Sequence, residues 1–277
     1  MEPRLQRRVQ RYGWDLAATD YDVAWGVQLA GCQAALLALA GLLPGERVLD
    51  VACGTGHVAR AAAGAVGPGG AVLGVDLSGS MVAAAQSQPA PAGAAPPRFA
   101  RMDAEALELA DASVDVVLCV LGLMYMPRPG RALREMHRVL RPGGRLAVAV
   151  WGERARCGWA GVFGIVDAEV ASDVCPLFFQ LGAPGALARE CTAAGFSVTQ
   201  EQRLDVALHY VDGDAACQAA FAGGPVALAW SRFGAAARQR AQVRYLASIA
   251  AWRDQHGYRV PAEFALACAV RPVRPAE

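Results

Sequence analysis

Glu46-Arg47-Val48-Leu49-Asp50-Val51-Ala52-Cys53-Gly54-Thr55-Gly56 decides the fold of this 277-residue chain. The apolar run from Arg47 to Ala52 reads as a short buried strand entering a glycine turn at Gly54 and Gly56. A helical pattern, His57 to Ala63, follows at once. Two glycines this close to a strand end let backbone N–H groups approach a ligand that any Cβ would hold off. The helix behind them turns its free N–H groups and positive dipole end to the same point. A ligand with a carboxylate or a phosphate suits that point.

The turn alone does not choose the ligand. Gly54-x-Gly56-x-x-Ala59 also fits a dinucleotide fingerprint, and Asp76, twenty residues past Gly56, stands where a ribose-binding acid belongs. Three features speak against a dinucleotide. Asp50 lies within the strand end, where its carboxylate would repel a pyrophosphate but suit an ammonium or a sulfonium. A further acid, Asp103, ends a third strand predicted over Arg98 to Asp103. A fifth strand is announced by Leu140-Arg141-Pro142-Gly143-Gly144-Arg145-Leu146. Three carboxylates at three strand ends, with no obvious positive partner, fit a cationic ligand with an amino acid end, a ribose and an adenine.

The stretches Val48 to Ala59, Gly74 to Met81, Arg101 to Leu107, Val114 to Leu123 and Ala132 to Leu146 together resemble the class I S-adenosylmethionine (SAM)-dependent methyltransferases, most of all the ubiquinone/menaquinone-biosynthesis-like branch. The resemblance covers the middle third of the chain. It implies an α/β fold: a Rossmann-like, seven-stranded, mostly parallel sheet with helices on both faces, an N-terminal helical lid and a helical insertion before the last strand. It implies SAM as cofactor, S-adenosylhomocysteine as product and a small-molecule methyl acceptor as partner. On that footing Asp76 accepts from the ribose hydroxyls, Leu77 and Met81 touch the adenine faces, and Asp103 with the Ala104 N–H reads the adenine edge. Asp50, Ala52, Gly54, Gly56 and Cys119 complete the expected cofactor contacts. Tyr21 is carried over as the aromatic lid residue over the methionine end. Trp14 and Trp25 read as packing aromatics.

Composition bounds the rest. At 55% hydrophobic residues the chain can bury a large core, and one domain is expected: a lid over 1–45, a SAM-binding core over 46–210, an acceptor-site cap over 211–260 and a last strand with tail over 261–277. A net charge of +1 without charge runs gives no footprint for nucleic acid. The charged start is not followed by an apolar region, and the most apolar run, Leu29 to Leu43, falls short of the ~20 residues of a span. A cytoplasmic protein without a membrane span is expected, with a homodimer as the assembly considered. Eight cysteines show neither a C-x-x-C pair nor zinc spacing, so no metal is expected. Cys157 and Cys175 are the one pair weighed for a bridge, which the expected compartment disfavours.

Further along the chain, a short helix is predicted over residues 4–16, then a break at Ala17 to Asp20, where Thr19 and Asp20 can cap a second helix that begins near Tyr21 and is buried from Val23 to Leu43. Glu105 and Glu108 read as a solvated short helix, and residues 89–97 as a proline-rich surface loop. The loop after the central strand, Leu121 to Pro127, is apolar and suggests a greasy pocket wall, with Met124 and Tyr125 as candidate substrate contacts. The sixth and seventh strands are predicted over Val198 to Leu208 and Glu263 to Val270, with helices between. His137 and His57 read as non-catalytic.

Methyl transfer is expected to proceed by in-line displacement, the enzyme mainly positioning the acceptor. A base is needed only where the acceptor must lose a proton, so no obligatory catalytic residue is predicted; His209, with Tyr210 beside it, and Tyr21 are the candidates. The rival readings are a nicotinamide-dependent oxidoreductase using the same turn and a non-catalytic SAM-binding partner subunit.

Overall fold

The computed structural model describes residues 2–170 and 178–273. The chain opens with one helix, α1 (Pro3–Ala40), not two. Its buried positions, among them Gln6, Gln10, Ala17, Ala24, Cys32, Leu36 and Ala40, run as one stripe through Thr19 and Asp20, so the packed face carries the helix across the expected break. It stops at Gly41, left-handed at φ 54°, whose N–H bonds the Leu37 carbonyl. The helix is not buried all round: Val23 and Val27 are 81% and 87% exposed. At 38 residues, with an 18-residue window of mean hydropathy 1.6, it is long and apolar enough by composition to cross a membrane. Trp25, Leu29 and Leu36 on its inner face are nevertheless packed into the protein core.

Strands and helices then alternate: β1 (Arg47–Val51), α2 (His57–Val66), β2 (Ala71–Asp76), α3 (Gly79–Ser87), β3 (Arg98–Arg101) and β4 (Val114–Val120). After α4 (Pro129–Val139) comes β5 (Leu140–Trp151), which starts four residues before the predicted Gly144. Short α5 (Gly161–Glu169) and α6 (Ala186–Ala193) lead to β6 (Ser197–Tyr210). The insertion is helical, with α7 (Gly213–Cys217), a π-helical turn at Gln218–Ala222, α8 (Ala227–Ser231) and α9 (Ala235–Ser248). A two-residue β7 (Arg253–Asp254) pairs with the last strand, β8 (Gly257–Val270), which begins six residues ahead of its predicted start.

The sheet order is β3-β2-β1-β4-β5-β8-β6. β1 to β5 pair in parallel, and β8 enters antiparallel between β5 and β6, Trp151 facing Phe264 and Tyr210 facing Tyr258. β1 and β4 are buried on both faces, which is why their sequences read as apolar runs rather than alternating ones. From β1 the chain winds one way to β2 and β3, then crosses back to β4 on the other side. That reversal opens a crevice at the carboxyl ends of β1 and β4, where open α/β sheets take ligands. The seven described cysteines are buried free thiols; Cys175, and with it the weighed Cys157 bridge, lies outside the described residues.

Candidate active site

The crevice holds an open cavity whose empty space, the solvent at its mouth included, is about 800 Å³. Its floor is the turn after β1. Ala52, Gly54 and Gly56 all have positive φ, at 58°, 53° and 82°. The turn is stitched to the next strand: Cys53 N–H donates to the Val75 carbonyl at 3.0 Å and Gly54 N–H to Asp76 Oδ2 at 2.9 Å. Asp76 Oδ1 accepts the Ser78 N–H at 2.8 Å, so this carboxylate joins two ligand-facing loops as well as lining the cavity. Its pKa is raised, chiefly by burial, with those backbone donors opposing.

The two glycines of the turn have different jobs. A Cβ on Gly54 would meet only Tyr21 Cε1, at 3.9 Å, and Gly54 lines the cavity. A Cβ on Gly56 would lie 2.8 Å from the Phe99 ring. Gly56 lines none of the described cavities, and a side chain there would press on the Phe99 ring of β3.

Asp50 lies in a smaller cavity of about 350 Å³ that shares Tyr21, Ala52, Gly54 and Leu121 with the larger one. It is 1% exposed, and its Oδ2 has no hydrogen-bond partner. Burial, with the Asp76 charge adding to it and the Ala59 backbone N–H opposing, pushes its carboxyl up to about 8. A buried carboxylate with a free oxygen is costly unless a cation or donor meets it.

Leu77, Met81, Asp103 and Ala104 line the large cavity. Ser78 caps α3, its Oγ accepting the Met81 N–H at 3.1 Å. Asp103 is not without a positive partner: Arg7 of α1 reaches it at 3.4 Å. Arg7 also donates to Glu105 at 3.1 Å, and Arg128 Nε meets the same carboxylate at 2.9 Å. Glu105, expected to be solvated, is 2% exposed because these two guanidinium groups enclose it. No local pattern announced this, since Arg7 arrives from a helix almost a hundred residues earlier. α1 is tied down twice more, by Asp15 to Ser78 Oγ at 2.6 Å, and by Asp22 to Thr55 Oγ1 at 2.6 Å and His57 Nε2 at 3.0 Å. These links hold Tyr21 over the turn. Burial, then the Asp22 and Asp76 charges, raises the Tyr21 phenol, which makes it a neutral donor rather than a base.

Several expected contacts fall elsewhere. Cys119 is fully buried behind the site, its thiol pushed up to about 12 by burial, and lines none of the described cavities. Met124, 1% exposed, sits in the core, whereas Tyr125 lines the large cavity. His209 is exposed on β6 and pairs with Arg259, outside the described cavities, so it is no base for this site. Tyr210 is buried, which raises its phenol and removes it as a base too. Trp14 and Trp25, read as packing residues, line an adjoining chamber together with Trp151 and Trp159. The signal for Trp151 was available: it stands at the carboxyl end of β5, where such sheets build their sites.

Comparison with known proteins fixes the frame of this geometry. A family model described as a methyltransferase domain matches residues 49–148. Those residues form a class I SAM-dependent methyltransferase domain. The ubiquinone/menaquinone biosynthesis C-methyltransferase UbiE of Ectopseudomonas mendocina is 43% identical over 111 residues, 40% of this chain and 43% of that protein. The chain spans about half the length of the curated relatives it matches. In fold, it is similar to a proposed methyltransferase of Bacillus halodurans C-125 (TM-score 0.62, 21% identity, 87% of this chain and 99% of that one). It is also similar to the [4+2]-cyclase SpnF (TM-score 0.58, 24% identity, 87% and 80%). The methyltransferase domain carries Asp50, Gly54, Asp76, Asp103 and Tyr125. The lid residues Trp14, Tyr21 and Trp25, and Trp151 and Trp159 with them, lie outside it.

The residues present fit SAM. The free Asp50 oxygen offers a place for the ammonium end, the Gly54 turn admits close backbone approach, and Asp76, Leu77, Met81, Asp103 and Ala104 wall the remaining length. When bound, SAM supplies an electrophilic methyl group on a sulfonium.

Proposed function

We propose that this protein is a SAM-dependent methyltransferase acting on a small, largely apolar metabolite. One observation carries the reading: the buried, half-unpartnered Asp50 carboxylate beneath a glycine turn, in a crevice that adjoins an aromatic chamber. Asp50 and Tyr21 serve the methionine end, and Asp76 and Asp103 the adenosine end. Leu121, Gly122, Tyr125 and Met126, which line the large cavity, face the acceptor side. Sulfonium charge disappears as the methyl group leaves, so an apolar surround that solvates charge poorly favours transfer, and the protein's chief work is to hold the acceptor in line. His209 and Tyr210 lie outside the described cavities, so neither supplies a base to this site.

The test is transfer of a labelled methyl group from SAM to a panel of small aromatic and apolar metabolites, read as S-adenosylhomocysteine formed. Turnover with one acceptor class supports the proposal. The fold shared with a [4+2]-cyclase supplies a second reading, in which SAM is held without being consumed. Tight SAM binding with no S-adenosylhomocysteine from any acceptor supports that reading instead.

A further inference from the structure

The outer face of α1 is apolar almost from end to end. Leu5, Tyr12, Leu16, Val23 and Val27 are 40%, 46%, 48%, 81% and 87% exposed. They are five of the nine large apolar side chains exposed among the described residues, so more than half of these stand on one helix. The line continues through Ala34 and Ala38, also exposed. Its spacing alternates between seven and four residues, an eleven-residue repeat: Leu5, Leu16, Val27 and Ala38 in one row, Tyr12, Val23 and Ala34 in the other. At 3.6 residues per turn these positions fall within about a quarter of the helix circumference. Every exposed residue of α1 from Tyr12 onward is uncharged, whereas the solvent face of a surface helix ordinarily carries charge. Arg7, Trp14 and Tyr21, which wall the cofactor cavity, stand on the opposite side.

Such a line fits a second helix. An eleven-residue repeat keeps its apolar seam on a partner helix with only slight right-handed supercoiling. A lipid surface instead selects large apolar and aromatic side chains flanked by Lys and Arg. Beyond Arg11, α1 has no Lys or Arg; its charges there are Asp15, Asp20 and Asp22. The seam also tapers, from Leu5 and Tyr12 to Ala34 and Ala38, and the taper sets the partner's direction. Two copies laid parallel would put bulk on bulk at one end, leave a gap at the other and set Arg8 beside Arg8. Laid antiparallel, with Leu5 opposite Ala34, Tyr12 opposite Val27 and Leu16 opposite Val23, each larger side chain meets a smaller one and the seam closes evenly. Arg8 then faces Gly31. From Leu5 to Ala38 the face is about 50 Å long and about 10 Å wide. That is roughly 1,000 Å² over two copies, the size at which specific interfaces begin.

Independently of the methyltransferase reading, we propose that the outer face of α1 is a dimer interface, packed antiparallel against the same face of a second copy of this chain. The two-fold axis passes between Thr19 and Asp20, and the contact is isologous, each pairing occurring twice. Asp20, nearest the axis, is held by the insertion, Gln218 Nε2 donating to its Oδ1 at 3.1 Å. Because the cavity-wall residues stand on the opposite side of α1, the two protein bodies lie outside the helix pair. The pairing therefore braces the helix that closes over the glycine turn. α1 lies outside residues 49–148, so the interface belongs to this chain's own N-terminal helix and not to the shared domain.

The experiment is size-exclusion chromatography with light scattering on the full chain, joined to cysteine cross-linking. The wild-type protein is expected at twice the mass of one chain. The double variant Val23→Asp, Val27→Asp should raise the dimer dissociation constant at least about hundredfold while keeping the wild-type circular dichroism spectrum. Cross-linking reads the direction of packing. Thr19→Cys places a thiol beside the two-fold axis, and oxidation with copper phenanthroline should link the copies. Arg8→Cys, about 35 Å from its counterpart in the antiparallel register, should stay unlinked. The wild-type chain, whose seven described cysteines are buried, is the blank. A monomeric wild-type protein with Thr19→Cys unlinked would overturn the proposal, as would Arg8→Cys linking as readily as Thr19→Cys. A monomer that binds phosphatidylglycerol vesicles, and loses that binding in the double variant, would assign the face to lipid and overturn it too.

Discussion

Cofactor affinity should follow a bell-shaped pH profile, and Asp50 sets its acid limb. In the ligand-free protein burial lifts this carboxyl to about 8, with Asp76 contributing. A bound ammonium needs it ionised. At pH 6 the empty site therefore holds a protonated Asp50, and binding must release that proton. Affinity for S-adenosylhomocysteine should rise about tenfold per unit toward pH 8, so that pH 6, two units below, costs about hundredfold. At higher pH the ligand's own α-amino group loses its proton and must regain it to bind, so affinity falls again. That limb lies above the roughly 7.7–8.0 of a peptide terminus, because the carboxylate of a free amino acid holds the ammonium proton more firmly. Isothermal titration calorimetry in two buffers of different ionisation enthalpy reads both limbs as proton release below the optimum and proton uptake above it. S-adenosylhomocysteine is the better ligand here, because it lacks the sulfonium and leaves the ammonium as its one cation. Asp50→Asn should bind more weakly at pH 8 and lose the acid limb while keeping the alkaline one. An acid limb that survives in Asp50→Asn, or a wild-type profile flat from pH 6 to 8, would rule out Asp50 as the group that meets the ammonium.

The same carboxylate predicts a stability effect. Its folded value of about 8 lies above the ordinary value near 3.9, so the cost of burying the charge is absent below about pH 4, grows up to pH 8 and is constant above. Thermal melts should show ligand-free Asp50→Asn more stable than wild type at pH 8, with the gain shrinking toward pH 4. Asp76→Ala removes the acceptor for both the Gly54 and Ser78 N–H groups; steady-state kinetics should show the Michaelis constant for SAM raised at least about tenfold, and denaturant unfolding a loss of about 1–3 kcal/mol. Gly54→Ala, strained but in open space, should cost about 1–2 kcal/mol, whereas Gly56→Ala also drives a methyl into the Phe99 ring and should cost clearly more in the same assay. Glu105→Ala strips Arg7 and Arg128 of their shared buried partner and should destabilise by about 1.5–3 kcal/mol, the range for hydrogen bonds to a charged group, measured in urea.

What could be read from the sequence was local. Val114 to Val120 and Ala71 to Asp76 coincide with observed strands because central parallel strands are short apolar runs bounded by turns. Asp76 and Gly54 were legible because their spacing from the strand ends is fixed by the turn that uses them. What escaped depends on distant packing. One helix replaces two because a buried stripe outweighs the local capping signal of Thr19 and Asp20. Glu105 is enclosed by Arg7, and Trp14 and Trp25 wall a chamber completed by Trp151 and Trp159, pairings that no window along the chain contains. Gly56 shows the limit of motif reading: its place in the turn is as expected, but its use is set by Phe99, forty-three residues on.

Thermal unfolding with SAM, S-adenosylhomocysteine and NADH in parallel tests whether this crevice holds SAM. A ligand at a hundred times its dissociation constant adds about 2.7 kcal/mol, which at roughly 2–4 °C per kcal/mol raises the midpoint by several degrees. That shift is expected with SAM and S-adenosylhomocysteine and none with NADH. A shift with NADH alone would contradict SAM as the ligand.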